Sequence, residues 1–351
     1  MAYTTINKHN DFFNTVTYTG NGGTNAITGV GHQPDFTWLK RRDGSGNHNL
    51  YDAVRGVTKY LESSASSPEQ TQQYGLTAFG TDGFTLGSNA NMNGNSNTFV
   101  SWNWKAGTTG SGTTTGSGTG KAYSYSVSTT AGFSIVKYVG NGTSGHTIPH
   151  HLGVAPSVVM IKNLTDGEQW RVGHTSLSAN FSKGLHLSLD NAAWTQTGAF
   201  NDTAPSSTVF TVGNFNSTNG DGDNFIAYCF AEKIGFSKFG SYTSSGYSDG
   251  PFSYTGMKPK FLLIKNTTDA AEWEIYDSER IGYNDANYHL NAQDSSAEAT
   301  LSGRLDLLSN GFKIRVTNSG PINSGTAGKN YVYFAFGQSL VGSNNVPCTA
   351  R

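Results

Sequence analysis

Charge is scarce in this chain. Asp, Glu, Lys and Arg make up 13% of its 351 residues, about half the usual share. The formal net charge is −1, with no long run of one sign. No nucleic-acid surface is expected, because such surfaces rest on Lys and Arg set against phosphates. The densest basic cluster, Lys40-Arg41-Arg42, reads as a solvated strand end. Cysteine is nearly missing: Cys229 sits in a strand-like stretch and Cys348 near the end, settings too different for a disulfide framework. No apolar stretch approaches the roughly 18 residues of a membrane span. The start, MAYTTINKHNDFF, lacks the basic-then-apolar pattern of a secretory signal. Together these absences imply a chain made in a reducing cytoplasm, without covalent staples or membrane insertion.

Glycine (44 residues) and aromatics (12%) are plentiful, and Ser, Thr and Asn fill much of the remainder. Low charge with many aromatics is the reverse of a disordered composition. It fits short strands joined by Gly/Asn turns, hence a mainly β chain.

The chain repeats itself. FNTVTYTGNGG from Phe13, FSIVKYVGNGT from Phe133 and FSKFGSYTSSG from Phe236 open three units. About twenty residues later each unit has an apolar strand ending in lysine: PDFTWLK (34–40), PSVVMIK (156–162) and PKFLLIK (259–265). DGFTLG, TVFTVG and NGFKIR follow, and each unit closes on alternating aromatics, FVSWNW, FIAYCF and YVYFAF. In those closing strands Val100, Trp102 and Trp104 share one parity, as do Ile226, Tyr228 and Phe230, and Val332, Phe334 and Phe336. A period of two places each set on one buried face of a sheet.

Units of roughly 100 residues with seven or more short strands have the size and rhythm of antiparallel β-sandwiches. The expectation is an all-β fold of three tandem sandwich domains, each burying its own aromatic stripe. They span 1–106, 122–232 and 233–351, the last with a C-terminal tail. Residues 107–121, GTTGSGTTTGSGTGK, read as a linker whose free end-to-end distance is about 20 Å. The first domain is then free to point elsewhere, while the second and third, with hardly any linker between them, are closely coupled.

Candidate chemistry is sparse. The TYTGNGG loop has no Lys-Ser/Thr and opens no helix, so it reads as a hairpin turn and not a phosphate cradle. His146, His150 and His151 cluster in GHTIPHHLG, but Pro149 and Gly153 argue against a helical zinc pair. Asp221 and Asp223 in NGDGDN are a calcium candidate through hard oxygen ligands, set against a solvated turn. The loops before the closing strands, rich in Asn, Gly and Ser, read as exposed. Asp52 with Arg55, and Asp277 with Arg280, have the spacing of an ion pair across one turn; VGHTSL in the middle unit lacks the pair. Trp194, in the polar stretch DNAAWTQTG, is a glycan-contact candidate, with edge packing as the alternative. No paired catalytic signature or cofactor fingerprint is found, so neither catalysis nor a cofactor is expected.

The segments MAYTTI…FNTVTYTGNGG, ITGVGHQPDFTWLKRRD, YDAVRG, FGTDGFTLGS and FVSWNWKAG resemble a tail-fibre-like protein family of marine bacteriophages. FSKFGSYTSSG…DGPFSYTGMKPKFLLIK, LDLLSNGFKIR and VPCTAR resemble the same family, so the likeness covers nearly the whole chain. It implies a non-enzymatic virion protein of jelly-roll or concanavalin-like sandwiches, associated with phage tail or capsid proteins and with host-surface glycan. By analogy with fibres it implies a homotrimer. The alternatives are a capsid-decorating or tail-body protein and, as an enzymatic class, a polysaccharide depolymerase.

Overall fold

The computed structural model describes residues 4–280, 284 and 286–341; the expected C-terminal tail, with Cys348, lies outside the described residues. The fold is all-β, built from antiparallel sheets. No helix among the described residues is long and apolar enough to cross a membrane.

Each unit has one large sheet with the same central order: opening strand, closing strand, lysine strand, fourth strand. In the first unit these are Phe13–Thr19, Thr98–Trp104, Phe36–Arg41 and Asn49–Asp52. In the second they are Phe133–Val139, Asn224–Phe230, Val158–Asn163 and Arg171–His174. In the third they are Ser237–Thr243, Asn330–Ser339, Met257–Asn266 and Trp273–Asp277. A three-stranded sheet accompanies each, running through Gly83–Leu86, Val209–Val212 and Gly311–Ile314.

The lysine strands are apolar without alternation because both their faces are covered. Leu39, Val159 with Ile161, and Leu262 with Ile264 pack in three separate clusters, against Phe84, Phe210 and Phe312 of the small sheets. Phe36 with Trp38, Val158 with Met160, and Phe261 with Leu263 face the other way, into one cluster shared by all three units.

That shared cluster corrects the expected organisation. The three closing-strand stripes do not serve three private cores; all nine residues lie in the common one. The equivalent rings Trp104, Phe230 and Phe336 meet pairwise, with centroids 6.4, 5.6 and 5.7 Å apart, at the centre of a threefold-like arrangement. The first unit therefore does not point elsewhere. A two-sided apolar sheet needs two covers, and a unit of this size supplies only one.

Residues 107–121 are likewise no coil. Thr108–Thr113 pairs with Ala122–Ser128, and Thr115–Gly116 pairs with His146–Pro149. The register sets Gly110 opposite Tyr125 and Gly112 opposite Tyr123. A Cβ at Gly110 would lie 2.6 Å from Tyr125 Oη, and one at Gly112 2.9 Å from the Tyr123 ring. The glycines are where tyrosine rings cross the strand.

Candidate functional site

The repeated lysines build the seams between units. Lys40 Nζ donates to Ser296 O (2.7 Å) and Ser295 O (3.3 Å) of the third unit. Lys162 Nζ donates to Ser66 O of the first (2.9 Å) and to Glu168 O (2.6 Å). Lys265 Nζ donates to Asp190 O of the second (3.0 Å) and to Ala271 O (2.8 Å). The direction is the same each time, so the three seams close a ring. Burial pushes all three ammonium groups down to about 8; carbonyl oxygens take three hydrogen bonds each from Lys40 and Lys265 and two from Lys162. The basic cluster expected at a solvated strand end is thus part of a seam. Lys40 is buried, Arg42 pairs with Glu298 of the third unit (2.8 Å), and Arg41 holds Asp43 (2.7 Å).

A second layer repeats one position on. Trp170 Nε1 donates to Glu62 O and Trp273 Nε1 to His186 O, both at 2.8 Å. In the first unit His48 takes this place, 2.9 Å from Asn291 O through Nε2. Trp38 Nε1 donates to His48 Nδ1 (2.7 Å), so the imidazole is neutral with its proton on Nε2.

The Asp–Arg pairs form the third layer. Asp52 accepts from Arg55 Nε and from Tyr228 Oη of the second unit (2.7 Å). Asp277 accepts from Arg280 Nε (2.5 Å) and from Trp102 Nε1 of the first (2.9 Å). Both ion pairs have fully buried side chains. The middle unit faces Phe334, which has no proton to give, and there the carboxylate is replaced. His174 lies edge-on to Phe334 at 5.3 Å, its Nε2 3.3 Å from Tyr333 O, with Leu177 where the others have arginine. In each seam the residue at this position is matched to the side chain it faces, a carboxylate to a donor and His174 to a ring.

The glycine turns are pinned from below. Tyr18, Tyr138 and Tyr242 donate through Oη to Met92 O, Thr218 O and Ile322 O (2.8, 2.6 and 2.7 Å). The next residue in each case is a buried asparagine. Asn93 Nδ2 donates to Asn21 Oδ1, Gly23 O and Gly87 O, and Asn219 Nδ2 to Asn141 Oδ1, Thr143 O and Gly213 O. Asn323 Nδ2 donates to Tyr247 O and Val316 O. Gly22, Gly142 and Gly246 take φ of 68°, 69° and 79° within these turns. The loops expected to be exposed each carry one buried anchor, signalled in the sequence by an asparagine recurring shortly before every closing strand.

The candidate site residues do not converge. Asp221 pairs with Lys121 (3.1 Å), and Asp223 accepts from Asn163 Nδ2 (3.0 Å). His146 Nδ1 lies 2.8 Å from Asn141 Nδ2, whereas His150 Nε2 lies 3.1 Å from Ser206 O. Among the described residues no three His, Cys, Asp or Glu side chains form a metal-holding group. Trp194 is half-buried, with the Arg171 guanidinium 4.8 Å over its ring and Phe215 parallel to it at 6.3 Å.

His151 belongs to a pocket that the sequence reading missed. About 450 Å³ of space opens between Pro149, His151, Tyr123 and the run Ser207, Thr208 and Val209. The imidazole stacks on Tyr125 at 3.8 Å and 15°, and its Nε2 lies 3.0 Å from Tyr123 Oη. The available signal was the match between the Tyr-x-Tyr of AYSYSVS and the Gly-x-Gly of TTGSGT.

No curated protein matches the chain. One solved structure, the STIV MCP, aligns with 70% of this chain and 96% of its own, at 11% identity and a TM-score of 0.20, too low to carry an argument. The family comparison is broader: its match starts at Lys8, ahead of the first opening strand, and ends at Ser339, the last residue of the third closing strand. It therefore takes in all three units, and the chain belongs to the family described as Domain of unknown function (DUF7483), matched over residues 8–339.

Proposed function

We propose that the chain is a non-enzymatic structural protein of a phage virion, a tail fibre or fibre-like tail protein that attaches to host-surface glycan. The observation that carries this reading is the ordered resemblance of long motifs, from the first opening strand to LDLLSNGFKIR, to tail-fibre-like proteins. A surface poor in charge and rich in Ser, Thr and Asn fits hydrogen bonding to polysaccharide. Several copies on one particle would turn weak contacts into avidity. The inner faces of all three units are used within the chain, so a homotrimer would form through the outer surface.

One observation favours the capsid-decorating alternative: a closed ring of three like units suits a threefold position on a shell. Labelling the particle with antibody against this chain separates the two. Label confined to the tail supports the fibre reading; label on the head alone sinks it. Purified protein that neither adheres to susceptible cells nor blocks infection would remove host attachment.

A further inference from the structure

We propose that the pocket on the middle unit binds an uncharged saccharide residue, with Tyr123 and Pro149 as apolar walls and His151, Ser207 and Thr208 as hydrogen-bonding rim. This rests on the attachment reading and gives it a place. The volume, about 450 Å³, lies in the range of small-molecule sites. No carboxylate, ammonium or guanidinium lines it. A charged ligand would lose hydration with nothing to pair against. A neutral sugar fits that lining: its C–H face packs on a ring, and its hydroxyls meet hydroxyls and an imidazole. Burial also lowers the His151 pKa, which keeps the ring uncharged at neutral pH.

Two features mark the site as built. First, His151 holds φ of 59°, a left-handed conformation costly to a side chain with a Cβ, while Gly153, at φ of 74°, takes a similar geometry without that cost. The histidine stays there because its ring is clamped between the Tyr125 stack and the Tyr123 hydroxyl. Strain maintained by such a clamp is a recurrent property of binding sites. Second, Tyr123 and Tyr125 come from a strand that, among the described residues, only the middle unit adds. Its sheet continues past the opening strand into Ala122–Ser128 and Thr108–Thr113, whereas among the described residues the other two sheets end at their opening strands. Gly112 lets the Tyr123 ring lie against main chain, which fixes it before any ligand arrives. The Gly/Ser/Thr segment is the backing of this wall.

The test uses the full chain with maltotriose, mannotriose, a galactose disaccharide and chitotriose as neutral probes, and glucuronic acid as the charged one. Saturation-transfer NMR and calorimetry should give millimolar or tighter binding to at least one neutral probe and none to glucuronate. Tyr123→Ala and His151→Asn should each weaken it at least about tenfold, or 1.4 kcal/mol. Asparagine tolerates the left-handed backbone, so His151→Asn keeps the fold and removes only the ring. His151→Gly, which accepts the left-handed backbone without strain but has no ring, should likewise abolish binding. Absence of transfer from every neutral probe at millimolar concentration overturns the proposal, as does binding equal to wild type in both Tyr123→Ala and His151→Asn. Cell adherence is scored separately. Oligosaccharide binding without adherence supports the pocket and refutes attachment; adherence unchanged in Tyr123→Ala refutes the pocket as the attachment site.

Discussion

Replacing Arg55 by leucine puts into the first unit the residue that the middle unit already carries at Leu177. The shape is tolerated there, so the effect reads charge and not volume. Asp52 would keep the Tyr228 hydroxyl and the turn amides of Val54 and Arg55 (3.1 and 2.8 Å) but lose its cation. Its side chain is fully buried, and Leu50 O loses its Nη2 donor as well. Removing one partner of a buried ion pair costs about 3–5 kcal/mol, since the remaining charge is uncompensated. Chemical denaturation followed by tryptophan fluorescence and far-UV circular dichroism, with coincident transitions, would measure it. The variant Asp52→His/Arg55→Leu/Tyr228→Phe, which reproduces the seam at His174 and Phe334, should recover at least half of the loss. A cost below about 0.5 kcal/mol for Arg55→Leu, the range of plain surface substitutions, would refute the matched-seam account. So would a triple variant no better than the single one.

The remaining predictions follow from the same contacts. Burial pushes His174 down to about 4 in the folded chain, against about 6.5 unfolded. Between those values the unfolded chain binds more protons, so stability falls as pH drops, by up to about 3 kcal/mol; in His174→Gln the pH 7 to 4.5 difference in unfolding free energy should shrink accordingly. Asn93→Ala takes the side-chain partner from the carbonyls of Gly23 and Gly87 and from the Asn21 backbone amide at the first turn; it should cost about 2–4 kcal/mol and speed hydrogen exchange at Gly20 and Gly22. Gly110→Val sets a side chain against the Tyr125 ring; it should cost about 1–3 kcal/mol and raise proteolysis within residues 107–121.

How far the sequence was legible depends on the range of the interaction. The parity of Val100, Trp102 and Trp104 placed them on one buried face, and they are all buried. The Gly/Asn turns were readable because a positive φ or a tight reversal is a local demand. Lys40 was misread, because a lysine ending an apolar strand looks local, whereas its partners Ser295 and Ser296 are about 255 residues away. The Gly/Ser/Thr segment was misread for a related reason. Composition records what glycine permits, and only the facing Tyr123 and Tyr125 show what it is used for. The Tyr-x-Tyr and Gly-x-Gly match signals one wall of the pocket at His151, but not the pocket, whose walls come from three separate stretches of chain.

By itself, the sequence determined the strands, their buried faces, the three-unit repeat and the turns between them. Those are set by the pleat period and by backbone sterics within a few residues. Tertiary structure alone decided that the three units share a core, that their lysines, indoles and carboxylates form a closed ring of seams, and that the linker-like segment is sheet. An apolar face states that it must be covered. It does not state by what, and that choice is made by surfaces far apart in the chain, 75 to 256 residues at the lysine seams, whose donors and acceptors match only after they meet.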